Sequence, residues 1–221
     1  MRKKLVSLAL LCALAAPVQA AMIDGNALYE TLFRSGTLEG VTTGSHLVYT
    51  RTVTNAAKPE TATRDTGTVV LTLEQGDALM ANLEFRQEEK HRSLGSFPAS
   101  VGNPMIMYFA ETVARDMAET AGGSPFYIRN RLKESLVSAA DLTEGQAQLD
   151  GTEIAVKTVV LHPFANDPNR GRMNGFEDLE LIVAMSDAVP GYYLSLTAAT
   201  PEGSPAGYHS ETRFTAVEAA R

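Results

Sequence analysis

The sequence contains no tryptophan and only one cysteine, Cys12. A single thiol rules out an intrachain disulfide framework, so stability must come from burial of apolar surface. Basic residues are in the minority, with 19 Lys plus Arg against 26 Asp plus Glu and a net charge of −7. Binding to nucleic acid requires clustered cations to neutralise phosphates, so no nucleic-acid partner is expected. No apolar run reaches the roughly 20 residues that a membrane-crossing helix needs, so no stable membrane span is expected either. There is no internal repeat and no low-complexity tract. H-E-x-x-H, G-x-S-x-G and Gly-rich phosphate loops are missing too, so no catalytic residue is assigned and the chain reads as a non-enzyme. What remains is 44 % hydrophobic and 20 % charged residues, the proportions of an ordinary folded protein.

The N-terminus carries an address. Met1-Arg2-Lys3-Lys4 is a basic start, Leu5 to Ala16 is apolar apart from Ser7 and Cys12, and Pro17 precedes Val18-Gln19-Ala20. This is the pattern of a Sec-type signal peptide cleaved after Ala20. Leu10 and Leu11 stand directly before Cys12, where a lipid-attachment motif has small residues, so the cysteine reads as filler of the apolar segment. Residues 1–20 are therefore expected to leave, and 21–221 to form a single α+β domain in a Gram-negative periplasm. The mature part has 16 Lys plus Arg against 26 Asp plus Glu, a net charge of −10, and no cysteine.

Period-2 alternation dominates the mature chain. It predicts about eight mostly antiparallel strands, near 46–54, 68–74, 79–86, 140–149, 153–161, 179–185, 192–198 and 208–217. Gln75-Gly76-Asp77 and Leu149-Asp150-Gly151-Thr152 read as hairpin turns. A short helix is expected over 21–35, capped by Asp24 and ended by Gly36, and residues 55–65 read as a polar connection. Two further helices are expected between the third and fourth strands. Asn103-Pro104 opens one, with Ile106, Phe109, Ala110, Val113, Met117 and Ala121 at helical spacing; Ser124-Pro125 opens the other, striped by Ile128, Leu132 and Leu136. Glu111 and Arg115, four apart, read as a surface pair. The expected architecture is a curved sheet with the helical pair packed on its concave face, against Leu71, Leu83, Leu181 and Leu196.

Candidate sites are few. His46, His91, His162 and His209 are scattered, and no metal or cofactor is assigned. Asp167, Asn169 and Asp178 fall at positions one, three and twelve of a calcium-type loop, but Arg172 takes the position that needs Gly, so 163–175 reads as a solvated loop. Met105, Ile106, Phe109, Val113 and Met117 form an apolar stripe that is either core or the lining of a ligand pocket. Residues 126–133 are basic and interleaved with aromatics at a helix start. Arg129 and Arg131 there belong either to an anion site or to a solvated basic face.

The segment Gly102 to Leu136, with Asn103-Pro104, Gly122-Gly123-Ser124-Pro125 and Tyr127-Ile128-Arg129-Asn130-Arg131, resembles an uncharacterised family of exported Gram-negative proteins. The layout is loosely similar to lipoprotein-carrier-type proteins, whose curved sheets wrap around helices. That resemblance implies a binding protein for an apolar small molecule or lipid. The alternative is an envelope accessory protein that acts through contacts with a protein partner.

Overall fold

The computed structural model describes residues 20–219; the expected signal peptide lies outside this range but for Ala20. Ten strands form one open sheet in the order β1-β6-β7-β8-β9-β10-β2-β3-β4-β5, and every neighbouring pair is antiparallel. Two meanders build it: β2 (His46–Asn55), β3 (Gly67–Gln75), β4 (Leu79–Gln87) and β5 (Lys90–Pro98), then β6 (Ala140–Leu149), β7 (Thr152–Leu161), β8 (Glu180–Met185), β9 (Tyr193–Ala199) and β10 (Tyr208–Glu218). β10 pairs with β2 to join the meanders, and β1 (Ala20–Ile23) pairs with β6 at the far edge. The helices are α1 (Gly25–Leu32), α2 (Pro59–Asp65), α3 (Met105–Ala121) and α4 (Pro125–Ser135).

The α+β class and the antiparallel sheet match the sequence reading, with corrections at three places. The strands number ten, not eight, because β1 and β5 are present. The N-terminal helix is shorter than 21–35, since Ala20–Ile23 is extended and only Gly25–Leu32 is helical. The polar connection at 55–65 contains α2, which Pro59 opens at its first turn.

The other local signals act as expected. Asp24 accepts from the backbone N–H of Asn26 and Ala27 and caps α1. Asn103 Oδ1 accepts from Met105 N at 3.0 Å, while its Nδ2 donates to Tyr49 Oη and to the carbonyl of Gly191. This one buried amide thus starts α3 and ties it to the sheet. Asp150 and Gly151 both take positive φ, 49° and 77°, the backbone of a two-residue hairpin turn.

The sheet is strongly curved. β9 and β5 are five strand spacings apart in the hydrogen-bonding order, about 24 Å on a flat sheet. Yet Tyr193 of β9 and Phe97 of β5 line one cleft of about 130 Å³, together with Ile106 of α3. Inside the curve, Phe109, Val113 and Met117 share one buried cluster with Leu71, Leu83, Leu181 and Leu196.

Candidate functional site

The five apolar residues singled out on α3 are brought together by the fold as packed interior. Met105, Ile106, Phe109, Val113 and Met117 are at most 3 % exposed. Of the five, Ile106 alone borders a described cavity, the 130 Å³ cleft. Their stripe is the face of α3 turned into the sheet.

The two arginines on α4 are separated. They sit two residues apart on a helix, roughly 200° around its axis. Arg129 turns to α3, where its Nε lies 2.7 and 2.8 Å from the two carboxylate oxygens of Glu111, and it stacks over the ring of Phe126. Arg131 turns the other way and pairs with Asp167 at 2.8 Å and Glu134 at 2.5 Å. Glu111 is therefore the partner of Arg129, and the expected surface pair with Arg115 is replaced.

The 163–175 segment is also not a simple solvated loop. Phe164 is fully buried, and Asp167 accepts from Tyr127 Oη at 2.8 Å. Burial opposes the charge of Asp167, but the Asn169 N–H, Tyr127 and Arg131 outweigh it and hold its pKa below the ordinary value. Arg170 donates to the carbonyls of Phe164 and Glu177 and to Asp178. These carboxylates are spent on protein donors. Among the described residues no group of three His, Cys, Asp or Glu is arranged to hold a metal.

The polar chemistry gathers instead inside the fold beside the stripe, around the seam where β2 meets β10. Arg51 opposes Thr212 there, and Val53 opposes Ser210. The alternation that buries Leu47, Tyr49 and Val53 sends Arg51 inward too, and it is 0 % exposed. A buried guanidinium is tolerable only when paired and hydrogen-bonded. Arg51 Nη2 donates to Asp116 Oδ2 at 2.7 Å, and Nη1 donates to the carbonyl of Asp65 at 3.2 Å. Tyr208 Oη donates to the same Asp116 oxygen at 2.9 Å.

The network then runs outward. Arg115 Nη2 lies 3.0 Å from Asp116 and 3.3 Å from Asp65. Arg64 joins Asp65 at 2.7 Å to Glu119 at 2.8 Å. Three arginines and three carboxylates thus form one neutral chain from the core to the surface. Burial disfavours the ionised forms of Arg51 and Asp65. For Arg51 the burial penalty is the largest influence, but Asp116 with Tyr108, Tyr208 and Asp65 together outweigh it and raise its pKa; for Asp65, Arg64, Arg115 and Arg51 together lower it. Arg64 also lowers the pKa of Glu119 through its hydrogen bond.

Beside this chain lies a groove of about 610 Å³ between α3, α4 and the edge strand β5. The next cleft, near Arg34 and Lys157, holds about 490 Å³. The groove walls include Leu94 of β5, Tyr108, Thr112, Arg115 and Ala118 of α3, and Arg129 of α4. Leu94 reaches it because of a β-bulge: Gly95 opposes Leu83 and Ser93 opposes Glu84, leaving Leu94 as the extra residue. Gly122 and Gly123, at φ 80° and 89°, turn the chain sharply enough for α4 to form the second wall.

Of the groove residues, only Arg129 stands in the set singled out from sequence. Leu94 and Tyr108 were not, and Arg115 was read only as a surface partner of Glu111; the signal for a polar interior was Arg51, a cation at an inward position of the β2 alternation. The histidines stay apart, with His46 on Thr72, His91 on Glu84 and His162 near Glu180. Comparison of the chain with protein-family models and with curated proteins finds no match.

Proposed function

We propose that this chain is an exported, non-enzymatic binding protein of the periplasm, and that it holds a small apolar or amphiphilic molecule in the groove between β5, α3 and α4. The observation that carries the reading is the groove itself. Its volume of about 610 Å³ lies within the roughly 300–1,000 Å³ of small-molecule sites. Its walls mix apolar surface, from Leu94 and Ala118, with ionised side chains at fixed positions. Those side chains are held by the Glu111–Arg129 pair and by the Arg115–Asp65–Asp116 network, so the site is pre-organised and little ordering is left to binding. The space between helix and sheet, where a carrier of the curved-sheet type would place its ligand, is filled by Phe109, Val113 and Met117.

Titration with a fluorescent fatty-acid analogue tests this. The wild type is expected to bind in the micromolar range. Ala118→Trp, which fills the groove from a partly buried position on α3, is expected to weaken binding at least roughly tenfold, or about 1.4 kcal/mol. No binding to the wild type, or equal binding to the variant, would overturn the assignment and favour the envelope accessory reading.

A further inference from the structure

Residues 173–176 form a tight turn beyond the C-terminal end of α3. Asn174 and Gly175 both take positive φ, 48° and 95°, and Phe176 N donates to the carbonyl of Met173 at 3.1 Å. This is the backbone of a type I′ turn, which favours Asn-Gly. The chain has no other Asn-Gly pair. Gly175 admits no side chain here, since a Cβ would meet Ala206 N and Ser204 Oγ at 2.7 Å.

Asn-Gly is also the pair in which an asparagine amide is most open to attack by its own backbone, because glycine puts no side chain beside the attacking nitrogen. Two hydrogen bonds hold the atoms that would react. Asn174 Nδ2 donates to the carbonyl of Ala121 at 3.0 Å, and Gly175 N donates to Glu177 Oε2 at 2.9 Å. Ala121 is the last residue of α3, and the final carbonyls of a helix have no partner within it. The first bond therefore caps α3 and ties the 163–175 segment to it. The second keeps the proton on the attacking nitrogen, because the Glu177 carboxylate opposes a second negative charge beside it. Asn174 itself is exposed to water.

We infer that Asn174 is a site of self-modification, closed while the turn is intact and open when it loosens locally. In the open turn the Gly175 nitrogen gives its proton to solvent hydroxide, and its electron pair forms a bond to Asn174 Cγ. The Cγ–Nδ2 bond breaks, Nδ2 takes a proton from water and leaves as ammonia, and a five-membered imide remains. Water then opens the imide at either carbonyl. The products are aspartate and its isomer, in which the backbone runs through the former side chain; nothing is oxidised or reduced. Either product lacks the donor to Ala121 and adds a negative charge beside the negative end of the α3 dipole. Conversion thus releases the end of α3 from the 163–175 segment for good.

The test incubates the purified protein in mildly alkaline buffer, with and without guanidinium chloride, and follows each asparagine by peptide mapping with mass spectrometry. In denaturant Asn174 is expected to convert before the other asparagines. In native buffer its conversion should be at least roughly tenfold slower, or about 1.4 kcal/mol of turn closure. Glu177→Ala should speed native conversion by roughly fivefold and leave the rate in denaturant unchanged, while Glu177→Gln, which keeps an acceptor for Gly175 N, should stay near wild type. Asn174→Asp, which carries one of the two products, is expected to melt about 2–4 °C below the wild type. Equal rates with and without denaturant, or another asparagine converting first in denaturant, would overturn the site. An unchanged native rate in Glu177→Ala would overturn the hold on Gly175, and an Asn174→Asp variant as stable as the wild type would overturn the release of α3.

Discussion

Replacing Asp116 by alanine removes the centre of the buried polar network. Asp116 receives Arg51 Nη2 and Tyr208 Oη on one oxygen and Arg115 Nη2 on the other. Arg115 keeps Asp65, at 3.3 Å, and is partly exposed, so its loss is small. Arg51 is fully enclosed and would retain only the Asp65 carbonyl at 3.2 Å. The variant therefore leaves a buried cation without its counter-charge and a buried phenol without its acceptor. Breaking a buried pair from one side costs about 3–5 kcal/mol. With a urea m-value of about 2 kcal/mol/M, the denaturation midpoint should fall by roughly 1.5–2.5 M. The double variant Arg51→Met/Asp116→Leu should lose much less, because no charge is stranded. A loss under about 1 kcal/mol for Asp116→Ala, or a double variant as unstable as the single one, would refute a charged, enclosed Arg51–Asp116 pair.

Three other outcomes follow from the same geometry. Phe109→Ala should cost about 3–5 kcal/mol in a denaturation curve through lost burial and a residual cavity; a cost under about 1 kcal/mol would place a pocket under α3. Asn103→Ala should cost about 2–4 kcal/mol, since one side chain starts α3 and satisfies both Tyr49 and Gly191. Asp65 and Glu119 have folded-state pKa values below their ordinary 3.8 and 4.5, so their contribution is complete above those values and is lost as pH falls through the lowered ones. Acid titration of Asp65→Asn should accordingly show a shallower loss of stability below about pH 4 than the wild type; an identical profile would contradict the ion chain.

The parts of the fold that were legible in the sequence are those in which one physical signal acts alone. The stripe of α3 repeats every three to four residues because a single face is buried, and Ser124-Pro125 opens α4 because its N-terminal N–H groups need an acceptor there. Asp150-Gly151 marks its hairpin because few residues tolerate positive φ. β5 was hidden because it is an edge strand. Lys90 to Ser93 are exposed, and the bulge at Leu94 breaks the alternation between Arg92 and Phe97. α2 is too short to show a period, and β1 is four residues of a mostly exposed edge.

The candidate site was less visible for a related reason. Its residues come from β5, α3 and α4, so no local spacing joins them. Partner choice is decided in three dimensions: the helical spacing that suggested Glu111 with Arg115 gives way to Arg129 from α4 and to the buried aspartates from elsewhere. Arg131 was chosen with Arg129 because they are close in sequence, and the turn of the helix sends it to Asp167 instead.

The central claim is that ligand binds outside the packed interior, on the face of α3 opposite the Phe109 stripe. A crystal structure of the protein with dansyl-undecanoic acid tests it most directly. The expected result is an acyl chain lying along Leu94 and Ala118, with the side chains of Phe109, Val113 and Met117 unmoved. An acyl chain found between α3 and the sheet, with that stripe displaced, would contradict it.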